Sequence, residues 1–323
     1  MADIDDPLRV MSNDTRDVLR RLELEVTRRL DGLLHGDHRG LVPGHGSELG
    51  ETRRYAPGDD VRRIDWNVTA RLSEAHIRQT IAERELQTWL CVDRSPRLAF
   101  GTALTEKREL VLAAAAAVGF LTNRDGNRIG AVFAGPGRPH GRTTDGRDEP
   151  AAPVIPPRGT RRHLLRILHD ISEHPRADGG GVTDLLAALM RLSGVAKRRG
   201  LVVVISDFLV ESGWEPAMRV LGQRHDVLAI QVTDPREFEL PNVGVVVLRD
   251  PATGRDREVA TQKRKVRDAF AEAAAARQGQ IVDELRLARV DHLVLSTDRP
   301  WLDDLVRFVV ARKHRLERLS ARP

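Results

Sequence analysis

The run Leu201-Val202-Val203-Val204-Ile205 constrains the fold more than any other stretch of this chain. Five consecutive apolar residues, mostly β-branched, leave no polar face for water, so the strand they form must be covered on both sides. That is the situation of a central strand in a parallel sheet. Around it the pattern repeats. Strands are predicted at Leu86 to Val92, read as buried, and at Arg128 to Phe133, Val227 to Val232 and His292 to Leu295. Helical spacing is read at Thr105 to Leu121, Thr160 to Ser172, Thr183 to Leu192, Trp214 to Arg224, Gln262 to Arg289 and Trp301 to Arg312. Strands alternating with helices predict an α/β domain over residues 86–323, with an open, mostly parallel sheet and helices on both faces. A further strand at Val243 to Leu248 leads to a hairpin turn at Thr253 to Arg257, and a short strand is expected at Pro153-Val154-Ile155.

Residues 1–85 read differently. Val18, Leu19, Leu22, Val26, Leu30 and Leu33 fall at helical spacing, so Asp14 to Leu34 forms an amphipathic helix. A glycine-rich loop follows from His35 to Gly50, and Thr52 to Gln79 forms an irregular or short-stranded subdomain rich in Arg and Asp.

Composition narrows the function. A single cysteine, Cys91, can make no disulfide within the chain and cannot supply the thiolates of a structural zinc site. No run approaches the ~20 apolar residues of a membrane span. The opening Met1-Ala2-Asp3-Ile4-Asp5-Asp6 is acidic where a signal peptide is basic and apolar, so a cytoplasmic location is expected. Net charge is only +5, acids are interleaved with bases, and aromatics are 4%, which argues against a dedicated nucleic-acid protein. The basic clusters Lys197-Arg198-Arg199 and Lys263-Arg264-Lys265 read as solvated surface.

Ligands of open α/β sheets bind at the carboxyl ends of strands. Three segments fit that rule. Asp93-Arg94-Ser95 follows the first strand, Val182-Thr183-Asp184 precedes a helix, and Ser206-Asp207 follows the central strand. Carboxylate and hydroxyl oxygens converging on one point are what Mg²⁺ requires. Taken singly, Ser95 and Thr183 also read as helix caps and Asp207 as a turn residue.

These segments resemble the metal-ion-dependent adhesion site of von Willebrand factor A domains, whose first motif is Asp-x-Ser-x-Ser with a Thr and an Asp supplied later. Asp93 and Ser95 match the first two positions, Thr183 the Thr and Asp207 the distal Asp. Arg97 stands where the motif has its second Ser. A guanidinium offers no lone pair to a cation, so the resemblance implies a degenerate, MIDAS-like site with at most weak Mg²⁺ binding. Arg97 either points into solvent or takes the cation's place by pairing with Asp93 or Asp207. Asp207→Ala is expected to weaken partner binding more than folding.

A second resemblance lies upstream. Gly46-Ser47-Glu48-Leu49 and Arg53-Arg54-Tyr55-Ala56-Pro57-Gly58-Asp59-Asp60-Val61-Arg62-Arg63-Ile64-Asp65-Trp66-Asn67-Val68-Thr69-Ala70-Arg71 are similar to the signature of a bacterial family called domain of unknown function fifty-eight. The match continues through Arg78-Gln79 and Glu83-Arg84-Glu85 to Gly200 through Phe208. Physically, Pro57 to Asp60 has the residue types of a tight turn. The arginines, including Arg54, Arg63 and Arg71, then face Asp59, Asp60 and Asp65. The reading is an ion-pair lattice that holds this subdomain against the α/β domain with Trp66 as its apolar anchor, or a phosphate or partner site that also involves Tyr55.

The resemblance implies an adaptor that works with a MoxR-type AAA+ ATPase in chaperone-like maturation of other proteins. No phosphate-binding Gly-x-x-x-x-Gly-Lys-Ser/Thr loop is present, so no nucleotide is expected on this chain. Neither His-Glu-x-x-His nor Gly-x-Ser-x-Gly occurs, and no enzyme activity is expected. His35, His38 and His45 form a loop cluster with metal-binding residue types but no thiolate beside them. The alternatives are a metal-dependent phosphoester hydrolase using Asp93 and Asp207, or a nucleic-acid-associated basic protein.

Overall fold

The computed structural model describes residues 13–34, 52–56, 61, 64–72, 74–78, 87–123, 127–135, 152–174, 183–210, 213–250 and 253–320. The expected loop at 35–50 lies outside the described residues, as do residues 136–151, the turn at Pro57 to Asp60 and Arg63.

The elements follow the alternation expected from the sequence. Helix α1 (Asn13–Leu34) and the short pieces β1 (Thr52–Arg54), α2 (Trp66–Leu72) and β2 (His76–Arg78) precede the main sheet. Then come β3 (Gln87–Asp93), α3 (Lys107–Thr122), β4 (Arg128–Ala134), β5 (Val154–Arg158) and α4 (Arg161–Ser172). Next are α5 (Leu185–Val195), β6 (Gly200–Ser206), α6 (Glu215–Gly222) and β7 (Asp226–Thr233). The chain continues through β8 (Val245–Arg249), β9 (Asp256–Ala260), α7 (Arg264–Leu287), β10 (Asp291–Ser296) and α8 (Trp301–Ser320).

Six strands form one sheet in the order β10-β7-β6-β3-β4-β5. The first five run parallel, and β5 closes the edge antiparallel to β4. Pro156 and Pro157 lack a backbone donor, and an edge strand is where that is tolerated. All seven residues of β6 are buried, as its unbroken apolar run requires.

Successive residues of each inner strand go to opposite faces. Leu201, Val203 and Ile205 enter a core layer with α1, α3, α4 and α8, whereas Val202 and Val204 enter a second layer with α5, α6 and α7. Helices therefore cover both faces. Leu19 and Val26 of α1 are buried in the first layer, so α1 packs against the α/β body although it lies before residue 86. Arg161–Glu23 and Arg29–Asp303 ion pairs fasten its outer side.

The predicted strand at Val243 to Leu248 does not join the main sheet. It pairs as β8 with β9 in a separate antiparallel hairpin whose Val245 and Val247 remain exposed. No helix of the described residues is long and apolar enough to cross a membrane.

Candidate functional site

The chain runs from β3 outward to β4, then crosses back to β6 on the other side of β3. The strand order therefore reverses between β3 and β6, and the crevice above that point is where open α/β sheets bind ligands. Val92 pairs with Ile205 in parallel register, so Asp93 and Ser206 leave the sheet side by side at the same carboxyl end. Asp207 follows directly. The two carboxylates singled out from the sequence share one rim.

Hydrogen bonds fix both. Asp93 accepts from the Ser95 N–H at 2.8 Å and from the Ser206 hydroxyl at 2.6 Å. The Ser206 oxygen in turn accepts from the Phe208 N–H at 3.0 Å. Asp207 accepts from the Leu209 N–H at 2.9 Å, a local turn of the kind Asp favours. Phe208, fully buried against Trp214 with ring centroids 5.2 Å apart, holds a positive φ of 56°. That left-handed backbone is uncommon for a bulky residue, and here its packing holds the turn carrying Asp207 in place.

Two cations converge on Asp207. Lys107, the first residue of α3, places Nζ 3.0 Å from Oδ2 and also pairs with Glu237. Arg97 places Nε 3.4 Å from Oδ2 and a terminal nitrogen 3.5 Å from Oδ1, and that nitrogen lies 3.8 Å from Asp93. Of the two alternatives for Arg97, pairing is the one observed. Its side chain is 14% exposed, against 1% for Lys107, so Arg97 is the cation that still meets solvent.

Burial alone would raise the Asp207 carboxyl, but Lys107 and Arg97 outweigh it and hold the group below the usual carboxylate range. Asp93 goes the other way, raised first by burial and then by the charge of Asp207. Burial pulls Lys107 down, yet Asp207 and Glu237 more than offset that and keep it protonated.

The network extends along the rim. Glu237 accepts from the Asp234 N–H at 2.9 Å. Asp234, just past β7, takes the Thr102 N–H at 2.8 Å and the Thr102 and Thr297 hydroxyls at 2.6 Å each. The ends of β3, β6, β7 and β10 are thus tied together. Lys107, Asp234 and Glu237 were not singled out from the sequence. Asp234 satisfies the same rule that found Asp93 and Asp207, a carboxylate directly after a buried strand.

Thr183 lies at the same rim. The N–H of Asp184 donates to the Gly135 carbonyl, one residue past Ala134, which pairs with Asp93. The hydroxyls of Ser95 and Thr183 are buried and have no hydrogen-bond partner among the described residues. They are the one feature here that suits a cation. The rest does not. An ionised carboxylate offers about four lone-pair positions, and those of Asp207 face Leu209, Lys107 and Arg97. A divalent ion would have to displace two cations already in contact, so the residues do not fit Mg²⁺ in this arrangement.

The upstream block is partly described. Trp66 is 71% exposed and is not an apolar anchor. It opens α2, where an indole points outward from the first turn. Its neighbour Asp65 is buried instead, receiving the Val68 N–H at 3.3 Å as the cap of α2. Arg54 pairs with Glu74 at 2.6 Å on the surface. Tyr55 is half-buried and donates its N–H to the Ala75 carbonyl, and Arg71 is exposed. Asp59, Asp60 and Arg63 lie outside the described residues, so the expected lattice is not seen as a whole.

A mostly parallel open sheet with a carboxylate-lined rim at its switch point defines an α/β open-sheet fold. The chain belongs to the family described as protein of unknown function DUF58, whose profile matches residues 51–280. An uncharacterized protein of Mycobacterium tuberculosis is 48% identical over 312 residues, covering 97% of this chain and 92% of that one. An uncharacterized protein of Mycobacterium avium is 42% identical over 159 residues, 49% of this chain and 94% of its own length. Among solved structures, the conserved hypothetical protein BatB of Bacteroides thetaiotaomicron aligns with a TM-score of 0.42 at 10% identity, covering 71% of this chain and 99% of that one. An aerotolerance-related membrane protein of Bacteroides fragilis aligns with a TM-score of 0.43 at 12% identity, with the same coverage.

Proposed function

We propose that this protein is a binding adaptor, not an enzyme, and that its von Willebrand factor A-like rim docks a partner through Arg97. The observation that carries this reading is the Arg97 guanidinium, 14% exposed, lying across Asp207 and Asp93. Its contacts of 3.4 to 3.8 Å are long, and a guanidinium has five donors, so it can turn part of its fork toward an incoming carboxylate. In a metal-dependent adhesion site the ion accepts that carboxylate; here a tethered cation would. Phe100 and Leu104 are exposed on the loop leading to α3 and offer apolar contact to a partner.

The partner we propose is a MoxR-type AAA+ ATPase, with chaperone-like maturation of client proteins in the cytoplasm as the process. The hydrolase alternative needs a carboxylate free to hold a metal-bound water, and Asp207 is already fully engaged.

The test is interferometry between the full chain and a MoxR-type ATPase from the same genome, using the parent and Arg97→Glu. Loss of at least about tenfold in affinity, with an unchanged circular dichroism spectrum, is expected because like charges then face the acidic partner. Equal affinity of the two forms would remove Arg97 from the interface and the reading with it.

A further inference from the structure

We infer that Lys107 is the resident counter-ion of the rim, so that this site is metal-independent by construction and stays so when Arg97 is removed. The inference concerns the rim described above but does not rest on its binding a partner.

Position is the first argument. Lys107 opens α3, where the helix dipole disfavours a cation. It is also withdrawn from water, which costs an ammonium more than almost any other group. A lysine persists there only if something nearby demands its charge. Asp207 and Glu237 do, from two different strand ends, and Nζ bonds both.

Residue choice is the second. The chain has only five lysines among 52 Lys plus Arg, so arginine is its default cation. Lys197, Lys263 and Lys265 sit on the surface. The enclosed position between two carboxylates takes a lysine. An ammonium is a compact point charge whose donors can turn to either side, whereas a planar fork would have to fit two carboxylates from separate elements at once. In charge and size Lys107 does for Asp207 what a small bound cation would do.

The consequence separates Lys107 from Arg97. Restoring the adhesion motif by Arg97→Ser frees some of the Asp207 lone pairs but leaves the ammonium 3.0 Å from Oδ2. A divalent ion entering beside it meets an adjacent positive charge.

Two experiments test this on the full chain. In the first, the parent is amine-labelled in the native state with and without millimolar MgCl₂ or MnCl₂, and the lysines are read by mass spectrometry. Lys107 should react at least about tenfold more slowly than Lys197 and Lys265, because labelling requires local opening, and the ions should not change that ratio. Exposure of Lys107 on adding either ion would show that metal displaces it and would overturn the inference. In the second, Mg²⁺ and Mn²⁺ are titrated calorimetrically into Arg97→Ser. No binding at millimolar ion is expected, whereas micromolar affinity would mean Arg97 alone kept the metal out. Failure of the Arg97→Glu binding test leaves both outcomes untouched, so the two readings stand or fall separately.

Discussion

Lys107 and Asp207, one hundred residues apart, meet with Nζ 3.0 Å from Oδ2 while each side chain is 1% exposed. The pair is a structural ion pair at a functional place, and that changes what a mutation there reports. Removing one partner of a buried pair leaves the other charge without its match, at about 3 kcal/mol. Asp207→Ala should therefore lower stability by about that amount, with Glu237 limiting the damage. Denaturant unfolding measures it. The expectation that this substitution would act on binding before folding gives way to the observed burial, and a change under about 1 kcal/mol would contradict the pair's importance.

Arg97 should behave differently. Its contacts with Asp207 and Asp93 are longer and partly open to solvent, so Arg97→Ser should cost no more than about 1 kcal/mol in the same unfolding measurement. A loss matching that of Asp207→Ala would make Arg97 a buried structural cation in place of a docking group.

Two glycines offer a packing test. A Cβ on Gly200 would stand 2.0 Å from the backbone carbonyl of Gln87, its partner on β3, where nothing can yield without moving a central strand. On Gly119 of α3 the Cβ would meet the Cδ1 of Leu164 at 2.4 Å, the far end of a side chain that can change rotamer. Gly200→Ala should cost about 3 kcal/mol or more and Gly119→Ala roughly 1 kcal/mol. Thermal unfolding of both variants checks the order, and the reverse order would contradict the β3–β6 register.

His174 lines a cleft beside Asp93 together with Ser95, Arg94, Arg108 and Ile171. Burial first, then the charges of Arg94 and Arg108, push its imidazole down to about 4. The folded state thus prefers neutral His174. Stability from this preference is complete above the unfolded value near 6.5 and falls away as pH drops toward about 4, where the folded form also takes a proton. Allowing for partial exposure, the loss is about 1–2 kcal/mol. His174→Gln should flatten that part of the acid limb in urea unfolding at successive pH values; an unchanged limb would put the acid sensitivity elsewhere, at His163, His225 or His292.

At the N-terminal block, Trp66→Ala should change stability by less than about 0.5 kcal/mol because the indole is largely in solvent. Asp65→Ala should cost about 1 kcal/mol through the lost cap of α2. Unfolding of the pair discriminates an anchoring indole from a capping carboxylate.

The fold was legible because its signals are local and redundant. The unbroken apolar run at 201–205 demands cover on both faces, and alternation with helical spacing then leaves few architectures. The rim location was legible for a similar reason, since Asp93 and Asp207 each end a buried strand. Lys107 was not. Periodicity registers it as the polar start of a helix, and only the return of the chain from β7 brings Glu237 to it. Trp66 was misread because size and hydrophobicity say what an indole can bury, not which way a short helix points it. The hairpin β8–β9 was legible as well: the expected strand at Val243 to Leu248 and the turn after it are present, with Val245 and Val247 left exposed outside the main sheet.

The most direct measurement is the thermal midpoint of the parent chain in millimolar Mg²⁺ and in chelator. A single site held at a hundred times its dissociation constant adds about 2.7 kcal/mol to the folded state, which in a chain of this size raises the midpoint by about 4 °C. Because Asp207 already carries Lys107 and Arg97, the two midpoints should agree within about 1 °C. A rise of about 4 °C with Mg²⁺ would mean the rim is a metal site after all, and the tethered-cation account would be wrong.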